Sequence, residues 1–175
     1  MKKIMVIGSN SFSGASFVDF ALDKSARIIG TSRSAQPVDA MLPYKWSKHD
    51  NFEFHQLDLN NDLDEIMQLI FDENVEHIVN FAAQSMVAES WQQPEDWFMT
   101  NAVSTIRLHD ALRKYKSLKR YVHISTPEVY GSCEGFVNED FPFNPSTPYA
   151  VSRAAADMSL RTFQTNITVC QSMIT

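Results

Sequence analysis

The sequence predicts a doubly wound α/β domain built on a parallel β-sheet, and three observations carry that expectation. Short runs rich in Ile and Val alternate along the chain with longer segments of helical period. The short runs are nearly continuous in apolar residues, as strands covered on both faces are. A glycine-containing turn stands directly between the first of these runs and the first helical segment.

Strands are expected at Ile4 to Ile7, Arg27 to Gly30, Phe52 to Leu57, His77 to Asn80 and Tyr121 to Ile124, with a sixth beginning within Asn166-Ile167-Thr168-Val169-Cys170. Between them, Phe12 to Asp23 carries apolar residues at 17, 18, 21 and 22, and Asn61 to Asp72 carries them at 63, 66, 67, 70 and 71, each a stripe on one helix face. A long helix starts near Pro94, a residue suited to a first helical turn, and runs to about Lys116. Leu108, Ala111, Leu112 and Tyr115 lie on one side of it, while Met99, Ala102, Val103 and Ile106 fall nearly opposite. Two accounts stand: a helix sandwiched inside its own domain, or one face on the sheet and the other on a second subunit. Pro142, Pro145 and Pro148 mark an extended loop ahead of the last helix, which runs from Ser146 or Thr147 to about Phe163.

A chain of 175 residues, 44% hydrophobic and 21% charged, suits one domain with a sizeable core and rules out two large ones. The net charge of -6, with basic residues scattered rather than gathered in a stripe, argues against a nucleic-acid partner. Apolar stretches fall far short of the roughly 20 residues that span a bilayer, so no membrane partner is expected. The run after Lys2-Lys3 stops at Gly8, too short for the core of a secretory signal. Cys133 and Cys170 show neither metal-ligand spacing nor a disulfide pattern, so free thiols, no metal and a cytoplasmic setting are expected. In that setting the Asn166-Ile167-Thr168 sequon carries no weight.

The first turn reads Gly8-Ser9-Asn10-Ser11-Phe12-Ser13-Gly14. Such a turn lets backbone N–H groups close on a pyrophosphate at the positive end of a helix; a purely structural turn is the competing account. Gly8 and Gly14 are six apart, and Ser11 takes the place of a middle glycine, where it either crowds the phosphates or donates its hydroxyl to them. After the second strand comes Gly30-Thr31-Ser32-Arg33-Ser34, with no acid until Asp39. Arg33 suits a 2′-phosphate, so NADP is favoured over NAD, the alternative being a surface arginine. Asp58-Leu59 follows the third strand, where the carboxylate can accept from an adenine amino group and Leu59 can pack on the ring; a helix cap is the other role open to Asp58. Phe81-Ala82-Ala83-Gln84 closes the fourth strand with small residues that would let a cofactor lie against the backbone, as they would let a helix pack.

The candidate catalytic group comes last, in Ser125-Thr126-Pro127-Glu128-Val129-Tyr130-Gly131 and Tyr149-Ala150-Val151-Ser152-Arg153. Tyr149 and Arg153 are four apart on a helix and share a face. A cation there favours the phenolate, moving the tyrosine from about 10 toward neutrality, where it can take a proton from a sugar hydroxyl as hydride leaves the carbon. Thr126 would share that network and Glu128 would be a second acid/base; alone, the Tyr and Arg would read as a surface pair.

Taken in order, these motifs resemble those of the extended short-chain dehydrogenases/reductases, in the NAD(P)-dependent nucleotide-sugar epimerase/dehydratase group. The resemblance covers residues 3 to 165. The run Ala82 to Trp91 followed by Pro94-Glu95 is most similar to nucleotide-sugar 4,6-dehydratases of the GDP-mannose or dTDP-glucose type. The resemblance implies a Rossmann domain over residues 1–175, incomplete at its C-terminal end because family members run on into a substrate domain. It also implies oxidation at C4, loss of water across C5 and C6, and return of hydride to C6. Carried over, Tyr149 is the C4 base, Glu128 removes the C5 proton, Ser85, Ser125 and Thr126 bind near the sugar, and Asn101 orders the central helix. Tyr149 and Arg153 also bind the cofactor, with Gly8, Asn10, Ser11, Phe12, Gly14, Arg33, Asp58, Leu59 and Phe81 to Gln84. A homodimer is the expected assembly. The chain departs from the pattern at Arg153 for lysine, Pro127 for a polar residue, Met86 for histidine and Ser11 for glycine. A catalytically inactive NAD(P)-binding module, or a related epimerase or reductase, is the alternative.

Overall fold

In a computed structural model, the described residues are 2–163 and the backbone of 169–172. Six parallel strands form one sheet: β1 (Lys3–Ile7), β2 (Arg27–Ser32), β3 (Phe52–Gln56), β4 (His77–Asn80), β5 (Arg120–Ile124) and β6 (Val169–Ser172). Their order is β3-β2-β1-β4-β5-β6. The doubly wound parallel fold is therefore as the apolar runs imply, and the strand order reverses between β1 and β4, which pair from Ile4–His77 to Ile7–Asn80. A crevice opens at such a reversal, at the carboxyl ends of the strands.

The helices divide unequally between the two faces. On one face α1 (Phe12–Asp23) sets Ala15, Val18 and Leu22 on Val6 and Ile28, with Leu42 and Tyr44 from the β2–β3 connection beside them. On the other, α2 (Leu63–Asp72), α4 (Thr105–Leu112) and α5 (Pro148–Phe163) bring Ile66, Ile70, Leu108, Leu112 and Leu160 onto Met5, Ile29, Ile78 and Tyr121. α2 starts at Leu63, two residues later than the expected Asn61, because residues 58–62 form a tight turn closed by the Asp62 backbone N–H on the Asp58 carbonyl at 2.7 Å. α5 likewise starts at Pro148, with the Thr147 hydroxyl accepting from the Ala150 N–H at 3.0 Å.

The long central helix is not uniform and ends earlier than expected. It consists of α3 (Pro94–Trp97), a π-helical stretch over Phe98–Ser104, and α4, which stops at Leu112. The wider π turn is a register slip of the kind found at functional sites, and it holds the buried Asn101. Leu108, Leu112 and Tyr115 face the core as predicted. Of the opposite set Ala102 is buried, but Met99, Val103 and Ile106 stay 40%, 38% and 36% exposed, so the domain does not itself enclose that face.

Cys133 is a free, exposed thiol. The Cys170 side chain, the Asn166–Thr168 sequon and the tail from Met173 lie outside the described residues. Among the described residues no helix is long and apolar enough to cross a membrane, and no cluster of His, Cys, Asp or Glu could hold a metal ion.

Candidate active site

The loop after β1 is shaped by two glycines that act for different reasons. Gly8 has φ +86°, and a Cβ there would stand 2.7 Å from the Ala82 N. Gly14 has no unusual φ, but a Cβ on it would lie 2.2 Å from the Gly8 carbonyl oxygen. Ser11 needs neither allowance. Its φ is -69°, its hydroxyl donates to the Gly8 carbonyl at 2.8 Å and accepts from the Gly14 N–H at 3.1 Å, and it caps α1. A serine therefore replaces glycine without strain, and its side chain is spent on the turn itself.

A cleft of about 250 Å³ opens beside this loop. Its lining runs from Gly8, Asn10 and Ser11 to Arg33 after β2, Asp58 and Leu59 after β3, and Phe81, Ala82 and Ala83 after β4. The Asn10 amide N–H donates to Ser32 Oγ at 3.0 Å, and its side-chain amide reaches the Ser34 and Ala35 carbonyls, tying the two loops together. Arg33 is exposed and makes no ion pair among the described residues, so its charge is available to a ligand. Asp58 builds an Asx turn rather than a helix cap: Oδ1 accepts from the Asn60 N–H at 3.0 Å and Oδ2 from the Asn61 side chain at 3.0 Å. Asn60 was not singled out by the sequence pattern. It lines the same cleft, donates to Thr100 Oγ1 at 3.0 Å and leaves a buried Oδ1 with no protein donor. The close approach at Ala82, which any side chain on Gly8 would fill, and this open acceptor suit a flat, hydrogen-bonding group such as a dinucleotide.

Phe12 stands apart from its expected partners. It is 92% exposed and borders a larger, apolar cavity of about 830 Å³ lined also by Ile4, Phe17, Val79, Phe81, Val122 and Ile124. That hollow is bare sheet surface beside α1, and no predicted catalytic group borders it.

At the ends of β4 and β5 the candidate catalytic residues are held by the protein itself. Asn101 bonds Gln84 twice, accepting from its N–H at 2.8 Å and donating to its carbonyl at 2.9 Å, and also donates to Ser152 Oγ at 3.0 Å. The π turn thus joins the β4 loop to α5. Ser152 in turn donates to the Tyr149 carbonyl at 2.7 Å, and the Tyr149 N–H donates to Ser90 Oγ at 3.2 Å. Tyr149 and Arg153 are 7% and 5% exposed, which excludes an ordinary surface pair. Arg153 Nη2 donates to the Ile124 carbonyl at the end of β5. Pro127 heads a single 3-10 turn, where its missing N–H costs nothing, and Thr126 before it is extended at φ -143° and ψ 144°. Thr126 Oγ1 accepts from the Glu128 N–H at 3.4 Å, and Glu128 is half-buried. Gly131 closes the turn at φ +71°, where a Cβ would meet the Asn144 carbonyl at 2.1 Å. Ser85 is exposed in the loop after β4, as is Met86. Ser125 is buried and donates its hydroxyl to Asp157.

Beneath these residues lies a buried polar layer that strand patterning does not announce. The Tyr121 hydroxyl meets Asn80 Nδ2 and His109 Nε2 at 3.2 Å each, and His123 Nδ1 at 3.4 Å. Burial lowers the pKa of His109 to about 4. Burial, with Arg153 and His109 nearby, holds His123 well below the usual imidazole range, and burial pushes the Tyr121 phenol up.

A doubly wound parallel sheet with a glycine turn at its switch point and a cleft across that turn defines a dinucleotide-binding domain of the Rossmann type. The sequence pattern of the family described as GDP-mannose 4,6 dehydratase matches residues 5–174, and the chain belongs to that family. It is 33% identical to a dTDP-glucose 4,6-dehydratase of Mycolicibacterium smegmatis, over 91% of this chain and 48% of that protein. Among solved structures, a dTDP-glucose 4,6-dehydratase from Bacillus anthracis in complex with NAD superposes with a TM-score of 0.82 at 28% identity, covering 99% of this chain and 54% of that one. A UDP-Glc/GlcNAc 4-epimerase from Campylobacter jejuni superposes at 0.88 with 23% identity, over 99% of this chain and 53% of that one, a likeness of fold. The chain spans about half the length of the relatives it matches.

Proposed function

We propose that the chain is the dinucleotide-binding and proton-transfer half of a nucleotide-sugar 4,6-dehydratase, with NADP as the preferred cofactor and NAD second. The observation that carries this reading is the Gly8 turn pressed against the Ala82 backbone, opening on a cleft lined from Arg33 to Ala83; Tyr149 and Arg153 do not line that cleft, and their helix is tied to its β4 wall through Ser152, Asn101 and Gln84. Residues 1–175 are read as the NAD(P)-binding domain, incomplete at its C-terminal end, with the sugar-nucleotide pocket shared with further family sequence. That sequence would also cover the apolar hollow beside α1.

In this reading Gly8, Asn10, Ser11, Phe12 and Gly14 form the pyrophosphate turn, with Phe12 contributing through its place at the start of α1. Arg33 receives the 2′-phosphate, Asp58, Leu59 and Asn60 meet the adenine, and Phe81, Ala82 and Ala83 line the rest of the cleft, with Gln84 just beyond it. The bound dinucleotide would accept hydride from C4 of the sugar and return it at C6. Tyr149 takes the C4 hydroxyl proton while Thr126 hydrogen-bonds that hydroxyl. Glu128 removes the C5 proton as water leaves, and the exposed Ser85 lies toward the sugar, while Ser125, its hydroxyl held by Asp157, serves the site by its place before Thr126. Arg153 keeps a positive charge under the reacting end.

Calorimetric titration tests the cofactor assignment. NADP is expected to bind more tightly than NAD, and Arg33→Ala to weaken NADP about tenfold while leaving NAD nearly unchanged. Binding of neither dinucleotide would overturn the reading. A second reading, binding without turnover, is favoured by Arg153: its guanidinium is engaged with the Ile124 carbonyl, and its planar fork does not reproduce a lysine's contacts. Incubation with dTDP-glucose or GDP-mannose, with the C-terminal half of a family member restored, separates the two, since only a dehydratase yields the 4-keto product. The open face of Met99, Val103 and Ile106, continued by the exposed Val151 and Met158 of α5, supports a homodimer, which sedimentation would detect. The free Cys133 suits a cytoplasmic setting.

A further inference from the structure

We propose that Asp157 is a positioning residue for the nicotinamide end of the cleft, tying the Ser125–Thr126 corner after β5 to the helix that carries Tyr149 and Arg153. The inference rests on the reading of the cleft as a dinucleotide site. Tyr149, Arg153 and Asp157 follow one another at intervals of four on α5, so they form one stripe, and all three are buried. Asp157 accepts the Ser125 hydroxyl proton, and Ser125 directly precedes Thr126. One turn earlier on the same stripe, Arg153 holds the Ile124 carbonyl. The two ties fix consecutive residues of the corner to the helix.

Close to the carboxylate, a chain of hydrogen-bonded side chains starts at His123 and crosses to the opposite wall. His123 Nε2 stands 3.6 Å from Asp157 Oδ1, and His123 Nδ1 meets the Tyr121 hydroxyl. Tyr121 meets Asn80 Nδ2, and Asn80 Oδ1 accepts the Ala82 N–H at 2.9 Å. Ala82 is the backbone against which Gly8 packs. The chain therefore runs from His123, packed 3.6 Å from Asp157, through the sheet to the wall of the cleft. A hydrolytic Ser-His-Asp role is excluded by order and access: the nucleophile must contact the histidine and face a substrate, whereas here the acid lies between Ser125 and His123 and all three are buried. Burying a carboxylate is costly unless hydrogen bonds and charge serve it. Arg153, buried one turn earlier on the same stripe, brings a positive charge to this layer.

The test compares the intact chain with Asp157→Asn, Ser125→Ala and the double variant, each titrated calorimetrically with NADP and with 2′-phospho-ADP-ribose, which lacks the nicotinamide. If NAD is the tighter dinucleotide, NAD and ADP-ribose take their places. The fragment should bind all four proteins within about twofold. The dinucleotide should weaken about tenfold in each single variant and no further in the double, because the two residues act as one pair. General loosening would weaken fragment and dinucleotide together, and that result overturns the proposal. If Asp157→Asn fails to fold by circular dichroism, Ser125→Ala, which keeps the charge and removes the tie, decides alone; an unchanged dinucleotide affinity in that variant refutes the positioning role. An intact chain that binds fragment and dinucleotide equally refutes it too, while leaving the adenosine site standing. An intact chain that binds neither removes both readings.

Discussion

The two faces of the sheet are finished to different degrees, and chain direction explains why. A right-handed crossover places its helix on the face set by the direction in which the chain steps along the sheet. The steps from β1 to β2 to β3 run one way, putting α1 and the Leu42–Tyr44 segment over that half of one face. The steps from β3 to β4, β5 and β6 run the other way, so α2, α4 and α5 all lie on the opposite face. Nothing among the described residues returns to cover β4 and β5 on the α1 side, and the 830 Å³ hollow is the result. The closed face carries both the main core and the polar layer under the catalytic candidates; the open face carries apolar sheet surface that no described residue covers.

Three measurements would break or sharpen this contrast. Leu108→Ala cuts into the closed face, where Leu108 is fully buried, and should cost about 2 to 5 kcal/mol in urea unfolding. A loss below about 1 kcal/mol would mean that this face is less tightly packed than the burial of Leu108 indicates. The polar layer gives the next effect. His109 titrates near 6.5 when unfolded but at about 4 in the fold, so between those values the unfolded chain binds the extra proton. Stability should therefore fall as pH drops from about 6.5 toward 4, by about 2 kcal/mol at pH 5 from His109 alone. His123 acts in the same direction, and His109→Gln should make the measured slope shallower. The smallest effect belongs to the open face: Phe12→Ser should change stability by less than about 0.5 kcal/mol and reduce binding of an apolar fluorescent dye. A cost above about 1 kcal/mol would show that the hollow is covered in solution.

Much of the site was readable because its pieces sit at strand ends. Gly8, Arg33, Asp58 and Ala82 each follow an apolar run, and a parallel sheet gathers such positions at one edge. The spacing of Tyr149 and Arg153 likewise follows from helix geometry alone. The π turn was not readable, because apolar spacing cannot distinguish a widened turn from a uniform helix. Ser11 was ambiguous for a related reason: only its φ of -69° and its bonds to Gly8 and Gly14 show the side chain spent on the turn. Asp157 had a signal, an acid on the Tyr149–Arg153 stripe of an alanine-rich helix, but His123 lies on β5 and Ser125 just after it, far away in sequence.

Local pattern thus determined the parallel sheet, the order of its strands and helices in the chain, and the residues presented at its carboxyl edge, because period and spacing act over a few residues. Tertiary structure alone decided which face each helix covers, where the apolar hollow opens, and how β4, β5 and α5 share one buried polar layer. Those outcomes depend on crossover direction and on side chains brought together from distant segments, and no local spacing encodes either.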